Sequence, residues 1–247
     1  MPSNAVLSDC KTVLFDASGT LIVSYPAPEE ALATACRTLG LDVTRERAVE
    51  IYATVQNRYR ADILAAQSKG RRLSTSEKRA VWQDIFRRVC NDALPKAAER
   101  IEAEIARIEF RWRAAEDSKK ALMAIRKSGR RTGVVSNFDA GLRKILADTD
   151  LMNSIGTVIV SAEVGCEKPD PRIFEAAMNA LGVSAAAAIH VGDDAFDVVG
   201  ASAAGIRPVW LSVSGDPWKA PPGSNVEPAA AIRRLLDLMP LLGIVTE

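Results

Sequence analysis

The stretch KTVLFDASGTLIVSYP, residues 11–26, decides the fold. An apolar run, Val13, Leu14 and Phe15, ends at Asp16, and Gly19 and Thr20 follow three and four residues later. This reads as a buried strand that delivers a carboxylate into a tight turn. The residue two beyond Asp16 is Ser18, neither a strong acid nor a strong base near neutral pH. The turn thus offers one acidic side chain where acid–base chemistry uses two.

Outward from this strand the pattern changes. From about residue 28 to 113, the segments APEEALATACRTLGL, TRERAVEIYATVQNRYRADILAAQ, STSEKRAVWQDIFRRVCNDAL and KAAERIEAEIARIEFRWR carry apolar residues at helical spacing. About four helices and no strand are expected there. Ser74 or Thr75 is the expected cap of the third, and Gly40 and Gly70 are helix stops. Beyond residue 117, helices alternate with strands at 131–136, 156–161, 187–192 and 207–212, and AAAIRRLLDLM reads as a final helix. Such alternation implies parallel strands joined by right-handed crossovers. The expected fold is an α/β doubly wound parallel sheet, residues 1–23 and 114–247, with an inserted all-helical domain, residues 24–113.

The totals are consistent with that plan. A chain of 247 residues accommodates a core with one insertion, and 26% charged against 48% hydrophobic residues is a soluble globular profile. With 32 basic and 31 acidic side chains the net charge is +1, so electrostatics supplies no pull toward nucleic acid or an anionic membrane. No apolar run approaches the ~20 residues of a membrane span. MPSNAVLSDCK lacks a basic region followed by an apolar one, so no signal peptide is expected. Cys10, Cys36, Cys90 and Cys166 form no C-x-x-C pair, and a single histidine excludes a His-rich metal site. The cysteines read as thiols of a reducing compartment, which makes the cytoplasm the expected location.

In an open α/β sheet, ligands bind beyond the carboxyl ends of the strands. Those ends carry Asp16, then Ser136 with Asn137 and Asp139, then Asp193, Asp194 and Asp197, with Glu167-Lys168-Pro169-Asp170 between them. Clustered carboxylates repel unless a cation sits among them. Asp16, Asp193 and Asp194 offer hard oxygen ligands suited to Mg²⁺, and Lys168 adds a positive charge. Asp170 and Asp139 read as helix caps, and His190, inside a strand, as structural.

The set resembles the haloacid dehalogenase superfamily. FDASGTL resembles its first motif, VVSN its second, EKPDPRIF its third and HVGDDAFDVVGASAAG its fourth; the helical insertion resembles the family's C1 cap. The resemblance implies a hydrolase with Asp16 as nucleophile and Ser136 and Lys168 as catalytic partners. It further implies Gly19, Thr20 and Asn137 in substrate binding, Asp197 in support, and Mg²⁺ on Asp16, the Ser18 carbonyl, Asp193 and Asp194. The expected activity is phosphoryl transfer from a small phosphorylated metabolite through an aspartyl-phosphate at Asp16. Family phosphatases carry an aspartate where Ser18 stands, so the acid–base step is expected to be impaired.

Two other readings stay open. A 2-haloacid dehalogenase-like enzyme fits the short Asp193–Asp197 spacing and the segment GIRPVWLSVSG, but not the acids at 193 and 194, nor Ala53 where such enzymes carry an arginine. A phosphate- and Mg²⁺-binding protein without turnover fits Ser18. The segment SKGRRLSTS places Arg71 and Arg72 in a loop that either reaches an anionic substrate or is a solvated basic turn. Trp82, Phe86 and Trp112 leave monomer and homodimer both open.

Overall fold

The structure, a computed structural model, describes residues 7–71, 73–221 and 223–245. The chain folds as two compact units: Met1–Val23, Trp112–Ala220 and Ser224–Glu247 form one, Ser24–Arg111 and Pro221–Gly223 the other.

The first unit is built on β1 (Thr12–Phe15). After it in the chain come β2 (Ile22–Tyr25) and β3 (Arg111–Ala114), which pair with each other as a two-stranded sheet. Then follow β4 (Arg131–Ser136), β5 (Thr157–Val160), β6 (Ala188–Gly192), β7 (Arg207–Leu211) and β8 (Ala230–Ile232). The main sheet has the order β5-β4-β1-β6-β7-β8 and all its pairings are parallel. The chain runs outward from β1 through β4 to β5, then returns to β6 on the other side of β1. That reversal opens a crevice beyond the carboxyl ends of β1 and β6.

Alternate residues of the central strands feed two cores. Val13, Phe15 and Val134 join Ala121, Leu122 and Ile125 in one cluster. Leu14 and Val135 join Ile173, Phe174 and Ala177 in the other.

In the second unit, α1 (Pro28–Thr38), α2 (Arg45–Ser68), α3 (Thr75–Ala93) and α4 (Ala98–Ile105) enclose their own core of Leu32, Ile51, Val55, Phe86 and Ile101. Ser74 caps α3: its hydroxyl accepts from the Glu77 amide, and the Glu77 carboxylate accepts from the Ser74 amide at 2.8 Å. Gly40 and Gly70, with φ of +71° and +73°, follow the ends of α1 and α2. Trp82 stacks on Phe86 inside this unit, whereas Trp112 meets Phe138 edge-on in the sheet unit. No described helix is long and apolar enough to cross a membrane.

Two segments depart from the sequence reading. Helix α4 stops at Ile105, and Arg111–Ala114 is a strand. The sequence does carry the signal: Ile108, Phe110 and Trp112 alternate with Arg107, Glu109, Arg111 and Arg113, a period of two rather than 3.6. The expected terminal helix is instead β8 followed by a short helical turn. The Ala229 amide donates to the Pro208 carbonyl and the Ser212 amide to the Ile232 carbonyl, both at 2.8 Å, which adds β8 to the edge of β7. Alanine-rich sequence favours helix by at most a few tenths of a kcal/mol per residue, and an available sheet edge overrides it.

Helices α5 (Ser118–Lys127), α6 (Leu142–Asp148), α7 (Ser161–Val164), α8 (Pro171–Leu181), α9 (Ala195–Ala203) and α10 (Leu238–Leu241) complete the first unit. Gly200 locks α9 in place. A Cβ there would lie 2.7 Å from Phe174 Cε2 and 2.9 Å from the Pro169 backbone, which cannot swing away. Gly200→Ala would gain about 1 kcal/mol of helix propensity and lose about 1–3 kcal/mol to overpacking. The expected outcome is net destabilisation, read as a lower urea midpoint. An unchanged or raised midpoint would show that α9 is not held by this contact.

Candidate active site

The first strand ends as its sequence suggests, and the backbone then curls tightly. The Asp16 amide donates to the Val191 carbonyl at 2.9 Å, tying the end of β1 to β6. The Ala17 carbonyl accepts from the amides of Leu21 and Ile22 at 2.9 and 2.8 Å. Gly19 sits at φ +86°, and a Cβ there would lie 2.3 Å from Asp193 Oδ2. Glycine is therefore required twice, for its φ and for the closeness of a carboxylate. Thr20 completes the contact, its hydroxyl donating to Asp193 Oδ1 at 2.8 Å. Ser18 is exposed on this turn.

The third carboxylate comes from α9. Asp194 is the N-cap, accepting from the Phe196 amide at 2.9 Å, and Asp197 accepts from the Asp194 amide at 3.0 Å. Asp194, expected as a metal ligand, caps the helix through its Oδ1. Asp197, expected as a supporting residue, is buried at the centre. Its Oδ1 accepts from Lys168 Nζ at 2.6 Å and lies 2.7 Å from His190 Nε2. Lys168 Nζ also donates to Asp16 Oδ1 at 2.6 Å. The result is one buried chain, Asp16–Lys168–Asp197–His190.

Lys168 is aimed by its neighbour in the second motif. The Lys168 amide donates to Asn137 Oδ1 at 2.7 Å, and Asn137 Nδ2 donates to the Lys168 carbonyl at 3.0 Å. Asn137, expected to contact substrate, spends both ends of its amide on the lysine's main chain. Ser136 is buried at the end of β4, on the same sheet edge. Asp170 caps α8 as expected. Asp139 holds the turn before α6 by accepting from the Gly141 amide at 2.7 Å, while Gly141 is that helix's N-cap. In the helical unit, Arg71 pairs with Glu77 at 3.3 Å on the surface; Arg72 lies outside the described residues.

Burial and charge set the protonation of the cluster. Burial pushes the Asp16 carboxyl up; Lys168 pulls it down without cancelling that, and Asp197 adds to the rise. Asp193 is pushed well above the usual carboxylate range by burial and then by Asp16, Asp197 and Asp194. Burial also acts to raise Asp197, but Lys168 and His190 overcome it and hold the carboxyl down at about 2. Burial would lower the Lys168 ammonium; Asp16 and Asp197 reverse that and hold it above its ordinary value. With Asp197 ionised, His190 Nε2 must carry the proton it donates. His190 Nδ1 is buried with no hydrogen-bond partner among the described residues, and the ring packs edge-on to Phe174.

Oxygen atoms of Asp16, Asp193 and Asp197 lie within 4.8 Å of one another. These three carboxylates face one ammonium, so the ionised cluster carries two uncompensated negative charges. Hard oxygen donors with that excess suit a divalent cation such as Mg²⁺. Asp16 and Asp193 have oxygens free of the lysine, whereas Asp197 Oδ1 is shared by Lys168 and His190.

Comparison with known proteins agrees with this geometry. The sequence profile "haloacid dehalogenase-like hydrolase" matches residues 10–205. Over 219 residues the chain is 31% identical to a phosphoserine phosphatase of Thermus thermophilus, covering 81% of this chain and 88% of that protein. Over 137 residues it is 35% identical to haloacid dehalogenase-like hydrolase domain-containing protein 3 of Mus musculus, covering 55% of this chain but 54%, about half, of the mouse protein. Among solved structures it shares the fold of an L-2-haloacid dehalogenase from Xanthobacter autotrophicus, with a TM-score of 0.64, 20% identity and coverage of 95% of this chain and 98% of that one. The chain belongs to the haloacid dehalogenase-like hydrolase family.

The raised pKa of Asp193 makes a prediction for the metal-free protein. Below the unfolded carboxylate pKa of about 3.9, folded and unfolded states are both protonated and nothing is lost. As pH rises, the unfolded state ionises first and the folded state loses stability until Asp193 itself ionises. Asp193→Asn removes that loss. With chelator present, its Tm gain over wild type should be about 2–4 °C or more at pH 7 and fade toward pH 4. Thermal melts from pH 3 to 8 test this, and a pH-independent difference would contradict it.

Proposed function

We propose that the chain is a Mg²⁺-dependent phosphohydrolase, acting on a small phosphorylated metabolite and slowed by Ser18. The observation that carries this reading is the buried Asp16–Lys168–Asp197 chain beside Asp193. Identity of 31% to a phosphoserine phosphatase over most of both chains supports it.

Asp16 and Asp193, with the Ser18 carbonyl, would hold the cation, which when bound offsets the charge shared by carboxylates and phosphate. Lys168 pulls the Asp16 carboxyl toward its ionised form and aligns it. A carboxylate oxygen of Asp16 attacks phosphorus; the P–O bond to the metabolite breaks, and its oxygen leaves with the bonding pair. That oxygen needs a proton, and water is its source because Ser18 cannot supply one near neutral pH. The second step is attack of water on the aspartyl-phosphate, returning Asp16 and inorganic phosphate. Ser18 offers no base for this water either, so the phosphorylated protein accumulates. Ser136, buried on the same sheet edge, donates its hydroxyl to the phosphoryl group.

A dehalogenase fits less well in charge. Its substrate brings a carboxylate of its own to a cluster that already carries excess negative charge. The fold likeness to the Xanthobacter enzyme, at 20% identity, is common to both chemistries. Four free cysteines, three of them buried, fit a reducing cytoplasm.

Intact-protein mass spectrometry after incubation with Mg²⁺ and acetyl phosphate tests the mechanism. Wild type should gain one persistent phosphoryl group, Asp16→Asn none, and Ser18→Asp should turn over about 10²–10⁴ times faster than wild type. No phosphoryl gain in wild type and no activity in Ser18→Asp would remove the phosphatase reading. Halide release from 2-chloropropionate without metal would then favour the dehalogenase, and its absence a binding protein.

A further inference from the structure

The sheet unit holds a second concavity, bordered by the Gly19–Thr20 turn. It is a cleft of about 480 Å³, within the range of small-ligand sites. Its apolar surface comes from Val23 on β2, Ala114 on β3, Leu211 at the end of β7 and Leu235 beyond β8. Val213, 73% exposed, stands on its rim.

Its charged groups are unequally satisfied. Arg234 is bound through two nitrogens to the buried Asp117 carboxylate, at 2.9 and 3.1 Å, and that pair is neutral. Arg113 and Arg233 also line the cleft, and neither side chain has a hydrogen bond or ion pair among the described residues. Exposed Glu116 is the one further charge on the described lining, so two guanidiniums outweigh one carboxylate. The Arg233 guanidinium has one face covered. It lies against Gly215, where a Cβ would stand 2.5 Å from Nη2. Gly215 has φ +82° and no side chain, so the planar group packs on bare backbone. The Arg233 main chain is fixed, its amide donating to Asp237 Oδ2 at 3.1 Å. A guanidinium packed on one face, with its donors unspent, can receive a carboxylate or phosphate through two parallel hydrogen bonds.

We propose that this cleft binds a small organic anion, its apolar body on Val23, Ala114, Leu211 and Leu235 and its carboxylate or phosphate on Arg233 and Arg113. The site stands apart from the phosphohydrolase reading, because none of its groups belongs to the Asp16–Lys168–Asp197 chain. It adjoins that chain through Thr20, which lines the cleft and bonds Asp193. Its ligand is therefore distinct from the group that Asp16 would attack.

Calorimetric titration of the full, metal-free protein with phenylphosphonate and with benzoate tests the site and separates phosphate from carboxylate recognition. Wild type should bind at least one probe saturably, with Kd of about 1 mM or tighter. Arg233→Ala should weaken binding by about tenfold or more, and the Arg113→Ala/Arg233→Ala double variant should abolish it. Both arginines are exposed, so their removal leaves no buried partner unpaired. Val213→Asp, which sets a carboxylate on the rim, should also weaken binding. Binding unchanged in all three variants would place the anion elsewhere and overturn the proposal. So would the absence of saturation by either probe in wild type.

Discussion

Lys168 places one positive charge between two buried carboxylates, and the arrangement of the sheet edge follows from that constraint. A charge this deep is tolerated only when paired and hydrogen-bonded, since removing one partner of a buried pair costs about 3–5 kcal/mol. Asp16 arrives from the end of β1, Lys168 from the loop before α8, and Asp197 from the first turn of α9. Each element is held by contacts that serve the same end. Asn137 grips the main chain of Lys168 at both its amide and its carbonyl. Gly200 lets α9 approach the Pro169 backbone, and Gly192 leaves room for Asp197, whose Cγ would lie 2.2 Å from a Cβ there. The ion chain and the close packing around it are one structural fact.

Much of this is legible in the sequence because it rests on periodicity and on where strands end. The apolar run before Asp16, the alternation after residue 117 and the polar residues at the strand ends point to the doubly wound sheet and gather Asp16, Lys168, Asp193 and Asp197 at one edge. The division of labour among polar side chains is less legible, because it depends on which way each one turns. Asp194 and Asp197 are three residues apart on the same helix start, and only the geometry shows that the first caps the helix and the second meets the lysine. Asn137 reads as a ligand-binding amide, and its tie to the Lys168 loop, which folds back on it, carries no local signal. The position of His190 inside a strand signals a structural role, but its bond to Asp197 spans a strand and a turn and carries no local signal. The two misread segments fail for different reasons. In RIEFRWR a clear alternation is masked by the helix that runs into it, whereas the alanines of β8 become a strand only because β7 offers an edge.

The electrostatics of the cluster and the identity of residue 18 bear on each other. Asp197 is committed to its ionised form by Lys168 and His190, and Asp16 and Asp193 carry the cost of their mutual repulsion. A divalent cation would relieve that cost, and the proposed phosphohydrolase reading rests on that fit. What the turn lacks is a group to move protons, since Ser18 is the exposed residue where one would stand. For the proposed reaction the consequence is asymmetric: capture of a phosphoryl group by Asp16 would need little proton transfer when the leaving oxygen is a weak base, whereas hydrolysis of the captured group would need a base for water. On the proposed phosphohydrolase reading, a site with acids suited to a cation but without the base would hold a phosphoryl group longer than it takes to acquire it, and among the described residues no carboxylate other than Asp16 lies on that turn to shorten the interval.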